Sequence, residues 1–148
     1  MLAYAYRLIA RRAYTRREMA RKLAGKGEPE KVETVLERLA ESGYLDDRAF
    51  ARDYVQQRLA SRPAGRRLLE MRLRTKGVPA EAIREVLGEI DPEAEEAAAQ
   101  DLAKKKAAAL KNLEPTDRKR RIFQFLVSRG FSGKISEKYA DTNFTSKM

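Results

Sequence analysis

Two residue types that carry much of protein chemistry are missing from this chain. Its 148 residues include no cysteine and no histidine. Without cysteine the chain can form neither a disulfide framework nor a thiolate zinc site, and without histidine it lacks the commonest general base and the commonest metal ligand. No apolar run approaches the roughly 20 residues that a membrane span needs. We therefore expect no catalytic site, no metal site, no cofactor and no membrane span.

The residues that are present favour an all-α protein with a strong positive charge. Ala, Leu, Arg, Glu and Lys dominate the composition, and Val, Ile and aromatic residues are sparse. The 32 Lys and Arg residues exceed the 22 Asp and Glu residues, so the net charge is +10. Such a charge suits a polyanion or an acidic protein surface as partner, although a solvated helical protein could also have it.

The first 17 residues are rich in Arg and contain no acidic residue, a composition that superficially resembles an organelle transit peptide. They run directly into a helix start at Thr15, where Glu18 completes a Thr-x-x-Glu capping box. We therefore interpret this stretch as the opening helix of the first helical repeat. A cytoplasmic monomer is expected.

One five-residue pattern, Leu-x-x-(Lys/Arg)-Gly, occurs three times, at Leu23–Gly27, Leu73–Gly77 and Leu126–Gly130. An apolar residue precedes each leucine by four positions, and residues at i and i+4 share one helix face. Glycine then ends a helix, because it adopts the left-handed conformation without cost. The three copies predict one helix ending repeated about every fifty residues, which indicates a tandem repeat.

The spacing of helix starts and ends predicts three helix-turn-helix-like units of three helices each. Their predicted ranges are residues 1–43, 44–91 and 92–148, and such arrays form elongated, curved bodies. Pro29 and Pro79 each lie two residues after a repeated glycine and suit the first turn of a third helix. The last unit has a long first helix, roughly Glu93–Asn112, a degenerate last helix and a frayed tail.

The junction between the first two units resembles a known family. The run Gly43–Asp47, followed by Phe50 and Ala51, resembles the Gly-x-(Leu/Ile/Val)-(Asp/Asn)-Asp-x-x-(Phe/Tyr)-Ala junction of the RecX family, regulators of the bacterial RecA recombinase. Two further runs resemble the motifs of the family's second and third units: Leu73–Val78, with Gly65 before it, and Arg120–Phe131. The resemblance as a whole covers about Ala5–Phe131.

The resemblance implies a protein that binds the RecA filament on DNA, touches several of its subunits, and reduces ATP hydrolysis and strand exchange. It would thereby modulate recombination, DNA repair and the SOS response. Single- or double-stranded DNA is a further candidate partner. The alternative is a direct, sequence-independent DNA-binding protein, because a three-helix unit with a basic helix can act as a helix-turn-helix.

Cations recur at the same places in each repeat and are the candidate binding residues. A basic pair lies seven and six positions before each repeated leucine, at a helix start, where positive charge opposes the helix dipole; its recurrence favours binding over a solvated helix turn. Another cation precedes each repeated glycine, where the dipole alone could explain it. The candidates for binding RecA or DNA are Arg16, Arg17, Arg66, Arg67, Lys119 and Arg120, then Lys26, Lys76 and Arg129.

Two other groups of residues are assigned to the scaffold. Asp46 and Asp47 are interpreted as a helix cap at the unit junction and not as a metal or catalytic pair, because no histidine or third carboxylate accompanies them. Aromatic residues on apolar helix faces are expected to lie in the core and not to stack on bases. These residues are Tyr4, Phe50, Tyr54 and Phe123.

Overall fold

A computed structural model describes residues 1–141, and these residues form nine α-helices and no strand. The all-α fold class predicted from the composition is confirmed. The helices are α1 (Leu2–Arg11), α2 (Arg16–Leu23), α3 (Pro29–Glu41), α4 (Asp47–Ser61), α5 (Arg66–Lys76), α6 (Ala80–Gly88), α7 (Pro92–Ala109), α8 (Pro115–Ser128) and α9 (Gly133–Asp141).

The chain divides into two compact units whose limits differ from those of the predicted repeats. The first unit comprises Met1–Tyr54 and Arg72–Val86, and the second comprises Val55–Met71 and the chain from Leu87 onward. The limits fall inside α4, α5 and α6, so each unit contains parts of the middle three helices. The predicted repeat limits at residues 43 and 91 remain a prediction.

In the first unit, α1, α2 and α3 share one core. Met19, Leu23 and Leu39 are fully buried in it, and Leu36 and Tyr14 are nearly so. The predicted capping box is confirmed: Thr15 Oγ1 accepts a hydrogen bond from the Glu18 amide, and Glu18 Oε1 accepts one from the Thr15 amide, both at 3.1 Å. These bonds satisfy two amides that a helix start leaves without partners, and so fix where α2 begins.

In the second unit, α7, α8 and α9 enclose another core. Ile122, Leu126 and Phe131 are at most 1% exposed. The last helix, which was expected to be degenerate, spans nine residues. It contributes Tyr139 and Ala140 to this core although it has no long apolar stripe. The predicted frayed tail falls mainly on residues 142–148, which lie outside the described residues.

The repeated apolar positions are confirmed as core positions, but the three helix endings are not identical. Gly77 and Gly130 have φ of +94° and +95°, as predicted for a helix-ending glycine. In the first copy α2 ends at Leu23, and Gly25, not Gly27, takes the positive φ, at +82°. The expectation for Gly27 was wrong. A Cβ at Gly27 would collide with the Met1 side chain.

Candidate partner-binding surface

The repeated glycines mark contacts between helices of successive repeats. In the first unit, the start of α2 lies against the end of α5: Thr15 Oγ1 donates a hydrogen bond of 2.6 Å to the Lys76 carbonyl. A Cβ at Gly77 would stand 2.5 Å from the Arg17 Cβ, so the absence of a side chain there allows the approach. We call this contact the first junction.

The second unit contains an equivalent contact, in which the start of α5 lies against the end of α8. The Gly65 amide donates to the Arg129 carbonyl at 2.8 Å, and the Arg67 amide donates to the Gly130 carbonyl at 3.1 Å. A Cβ at Gly130 would stand 2.5 Å from Leu68 Cβ. We call this contact the second junction. The Leu-x-x-(Lys/Arg)-Gly pattern is therefore a docking element in its second and third copies.

In each junction the docked helix is capped by a carboxylate from the second helix after it in the chain. Asp47 Oδ1 accepts a hydrogen bond of 3.0 Å from the Arg16 amide at the start of α2. Glu95 Oε2 accepts one of 2.9 Å from the Arg66 amide at the start of α5. Asp46 caps its own helix, as the sequence predicted for both aspartates. Its Oδ1 accepts a hydrogen bond from the Ala49 amide in the first turn of α4. Both aspartates are thus caps, but of different helices.

Asp47 makes the first junction sensitive to pH. Burial raises the pKa of its carboxyl above the usual value, against the lowering effect of the Arg16 amide and charge. The folded protein therefore holds this proton more tightly than the unfolded chain, and the carboxyl stabilises the fold more as the pH falls through its raised pKa.

We expect Asp47→Asn to keep the cap without the charge. Its unfolding free energy at about pH 7 should equal or exceed that of the wild type, and any advantage should shrink towards about pH 4. Asp47→Ala should lose about 1 kcal/mol, because no acceptor remains for the Arg16 amide. Urea denaturation at the two pH values measures both. An Asn variant as unstable as the Ala variant would contradict the prediction.

The two members of each basic pair differ in their surroundings. The first members have carboxylate partners: Arg16 pairs with Glu33, Arg66 with Glu95 at 3.0 Å, and Lys119 with Asp141 at 2.7 Å. The bond from Lys119 to Asp141 also raises the lysine pKa. The second members lie on the exposed side of each helix. They are Arg17, Arg67 and Arg120.

Arg66 is the most fully engaged of these cations. Its guanidinium donates to the Glu95 carboxylate and to the carbonyls of Leu87 and Ile90, the latter at 2.7 Å. Those carbonyls lie at the end of α6, where a cation complements the helix dipole. The position of Arg66 at the start of α5 is therefore explained by its role in the scaffold. The sequence did not reveal this role.

Arg17 and Arg67 have exposed side chains and no ion pair with any residue between 1 and 141. Arg120 is 62% exposed and pairs at 3.0 Å with Asp117, three residues before it. An exposed pair of this kind contributes little to stability and is readily exchanged for another partner. Of the six cations in the three basic pairs, these three arginines remain available to a partner.

The cations before the repeated glycines have intramolecular partners. Lys26 Nζ lies 4.7 Å above the Tyr4 ring, and Lys76 Nζ lies 5.6 Å above the Tyr54 ring, a cation–π contact repeated at the same offset. Arg129 donates to the Pro63 carbonyl at 2.9 Å. All four aromatic residues assigned to the core are partly buried.

Two relevant residues were not singled out from the sequence. Glu95 lies in the first turn of its helix, as Asp47 does, and that shared position was the available signal. Met71, one helical turn after Arg67, is 53% exposed, the largest exposure among the bulky apolar side chains of the described chain. Its position opposite the buried Leu69 and Leu73 was the available signal. Within residues 1–141 no acidic cluster could hold a metal ion, and no helix is long and apolar enough to cross a membrane.

Family comparisons cover nearly all of the chain. Three models, described as the first, second and third three-helix domains of RecX, match residues 2–39, 46–87 and 93–139. Among curated proteins, a regulatory protein RecX of Pelodictyon phaeoclathratiforme is 37% identical over 88% of this chain and 80% of its own length. One from Thermus thermophilus is 40% identical over 88% and 82%.

Solved structures show the same fold. A crystal structure of a regulatory protein RecX matches with a TM-score of 0.82 and 28% identity, over 95% of this chain and 71% of the other. The crystal structure of RecX from Lactobacillus salivarius matches with a TM-score of 0.88 over 99% and 95% of the two chains. Its identity of 18% supports the fold alone.

Proposed function

This chain belongs to the RecX family of regulatory proteins, and from that premise we propose that it binds the RecA–DNA filament and inhibits both ATP hydrolysis and strand exchange. Through that inhibition it would modulate recombination and the SOS response. The family is one of regulators and not of enzymes. Family membership over nearly all of the described chain is the observation that carries the proposal.

The exposed face of α5 supports a protein partner. Arg67 and Met71 are four residues apart and so share one face of the helix. Exposed Arg and Met side chains are enriched at protein interfaces, because arginine binds carboxylates in a bidentate manner and methionine fills irregular apolar surfaces. We propose this face as one contact with RecA, together with Arg17 at the equivalent position of α2.

Titration of the protein into the DNA-dependent ATPase reaction of the cognate RecA tests the function. We expect ATP hydrolysis and strand exchange to fall at or below one molecule per RecA, because contacts to several subunits multiply weak affinities. Arg67→Glu should weaken the inhibition by roughly tenfold, the effect of about 1.4 kcal/mol at an interface. Activity that stays unchanged with an excess of the wild type at moderate salt would exclude the proposal.

A matched control separates the contact from the change of charge. Arg84 is an exposed arginine in α6 and is outside the repeated pairs. Arg84→Glu removes the same charge, so it should inhibit as well as the wild type does. Equal losses in the two variants would exclude the α5 face as the contact, while the wild-type titration would still decide the function.

A further inference from the structure

The positive charge of this protein is concentrated in one helical hairpin. Residues 104–121, which run from the last turns of α7 to the first turns of α8, contain eight Lys and Arg and two acidic residues. Their net charge is +6 out of +10 for the whole chain. The 103 residues before them contain 20 basic and 18 acidic residues and are nearly neutral. We call residues 104–121 the basic hairpin.

The basic hairpin belongs to a packed part of the second unit. Ala103 and Ile122, at its two edges, are at most 1% exposed, and Leu110 in its turn packs against the same core. Lys106 Nζ lies 4.9 Å above the Phe125 ring of α8 and so links the two helices. Arg118 is only 7% exposed and is part of this scaffold. The exposed cations of the hairpin are therefore held on a fixed scaffold, which reduces the entropy lost on binding a ligand.

Several of these cations have no competing partner in the described chain. Lys104, Lys111 and Arg121 are exposed and form no ion pair with residues 1–141. Lys105, 73% exposed, pairs with Asp101, and Arg120 pairs with Asp117, both on the surface. Such exposed pairs are weak and screened by salt, so an anion can replace the carboxylate.

The helix dipole does not explain the pattern. Lysines near the end of α7 complement its dipole, but the dipole of α8 gives no stabilisation to the four cations at residues 118–121, which follow the start of that helix. The residue types also differ from those elsewhere: five of the eight cations in the basic hairpin are Lys, against four of the 20 before it. Lysine is depleted at protein interfaces, whereas lysine and arginine both serve as contacts to phosphate.

We propose that the basic hairpin is a binding site for the phosphate backbone of nucleic acid, independent of sequence. None of the bulky apolar side chains exposed in the described chain falls within residues 104–121, so this surface lacks the apolar component that a protein interface needs. A group of exposed cations without a bulky exposed apolar side chain suits a polyanion, whose binding is driven by the release of counterions. The site does not depend on the α5 face.

A charge-matched pair of triple variants tests the site. The hairpin variant combines Lys104→Gln, Lys111→Gln and Arg121→Gln. The control variant combines Lys22→Gln, Lys31→Gln and Arg38→Gln, which are exposed cations of α2 and α3 without an ion pair in residues 1–141. Each triple removes three positive charges, so the variants differ in the place of the charge and not in its total.

Fluorescence anisotropy of a labelled single-stranded oligonucleotide, measured over a series of KCl concentrations, gives the affinity and its salt dependence. We expect the hairpin variant to bind roughly ten- to a hundredfold more weakly than the wild type, with a slope of log K against log [KCl] lower by about two. The control should stay within about twofold. Circular dichroism should show equal helicity in all three proteins, because the substituted side chains are exposed.

Three outcomes would overturn the site: no binding of the oligonucleotide by the wild type, equal weakening in both variants, or an unchanged salt slope in the hairpin variant. The first would leave an acidic protein surface as the ligand. The ATPase titration tests the proposed function and is independent of this DNA-binding test. A wild type that binds DNA through the hairpin and leaves RecA active would sustain this site and exclude the proposed function, and the reverse result would do the opposite.

Discussion

Replacement of Gly130 by alanine should destabilise the second unit by about 3–5 kcal/mol. The residue has φ of +95°, and a side chain in this region costs about 1–3 kcal/mol. An added Cβ would also stand 2.5 Å from both the Cβ and the amide nitrogen of Leu68, and the latter is backbone that cannot rotate away. The start of α5 would have to retreat, which would break the hydrogen bonds to the carbonyls of Arg129 and Gly130, each contributing about 1 kcal/mol.

Gly133→Ala is the control for this prediction. Gly133 begins α9 and has no positive φ, and an added Cβ there would have no atom within 4 Å. Alanine at this position should leave stability unchanged or raise it by up to about 1 kcal/mol, since it lowers the entropy of the unfolded chain. Urea denaturation of both variants measures the difference. A loss below about 1 kcal/mol for Gly130→Ala would mean that the second junction contributes little to the fold.

The features that the sequence predicted correctly depend on neighbouring residues. The capping box of Thr15 and Glu18 needs residues three apart, and the buried stripe of Leu69 and Leu73 needs residues four apart. Such patterns are fixed by the helix period and by the unpaired amides of a helix start. The helix-ending role of Gly130 likewise follows from the residues just before it in the chain. Signals of this kind for helix starts and ends are local, so three helices per repeat could be inferred from them.

The features that could not be predicted depend on residues far apart in the chain. Asp47 caps a helix 31 residues earlier, and Glu95 caps one 29 residues earlier. A pair of adjacent aspartates before a helix indicates a cap but does not show that the two serve different helices. The docking role of Gly130 likewise depends on Leu68, which only the fold brings near.

The sequence predicted the candidate binding residues as basic pairs, and the structure distinguishes the two members of a pair. In the sequence Arg66 and Arg67 have the same status, since both are cations in the first turn of α5. The fold distinguishes them, because Arg66 faces Glu95 and the end of α6 whereas Arg67 is exposed. A test that reverses both residues together would therefore mix loss of the fold with loss of a contact.

Separate substitution of these two arginines should give opposite results. Arg66→Ala should lower the unfolding free energy by about 3 kcal/mol, because the Glu95 side chain, only 10% exposed, would lose its counter-ion and the Leu87 and Ile90 carbonyls would lose a donor. Arg67→Ala should change it by less than about 0.5 kcal/mol, as is usual for an exposed side chain. Urea denaturation of the single variants measures both values.

Arg66→Lys distinguishes the charge from the geometry of the guanidinium. A lysine can keep one bond to Glu95 but cannot also donate to two carbonyls in different directions, so it should recover about half of the loss. Full recovery would show that charge alone matters at this position. In the ATPase titration the order should reverse: the alanine at Arg67 should weaken inhibition in a fully folded protein, and the alanine at Arg66 should do so only where it also unfolds the second unit. A folded Arg66→Ala protein that no longer inhibits would instead place Arg66 in direct contact with RecA.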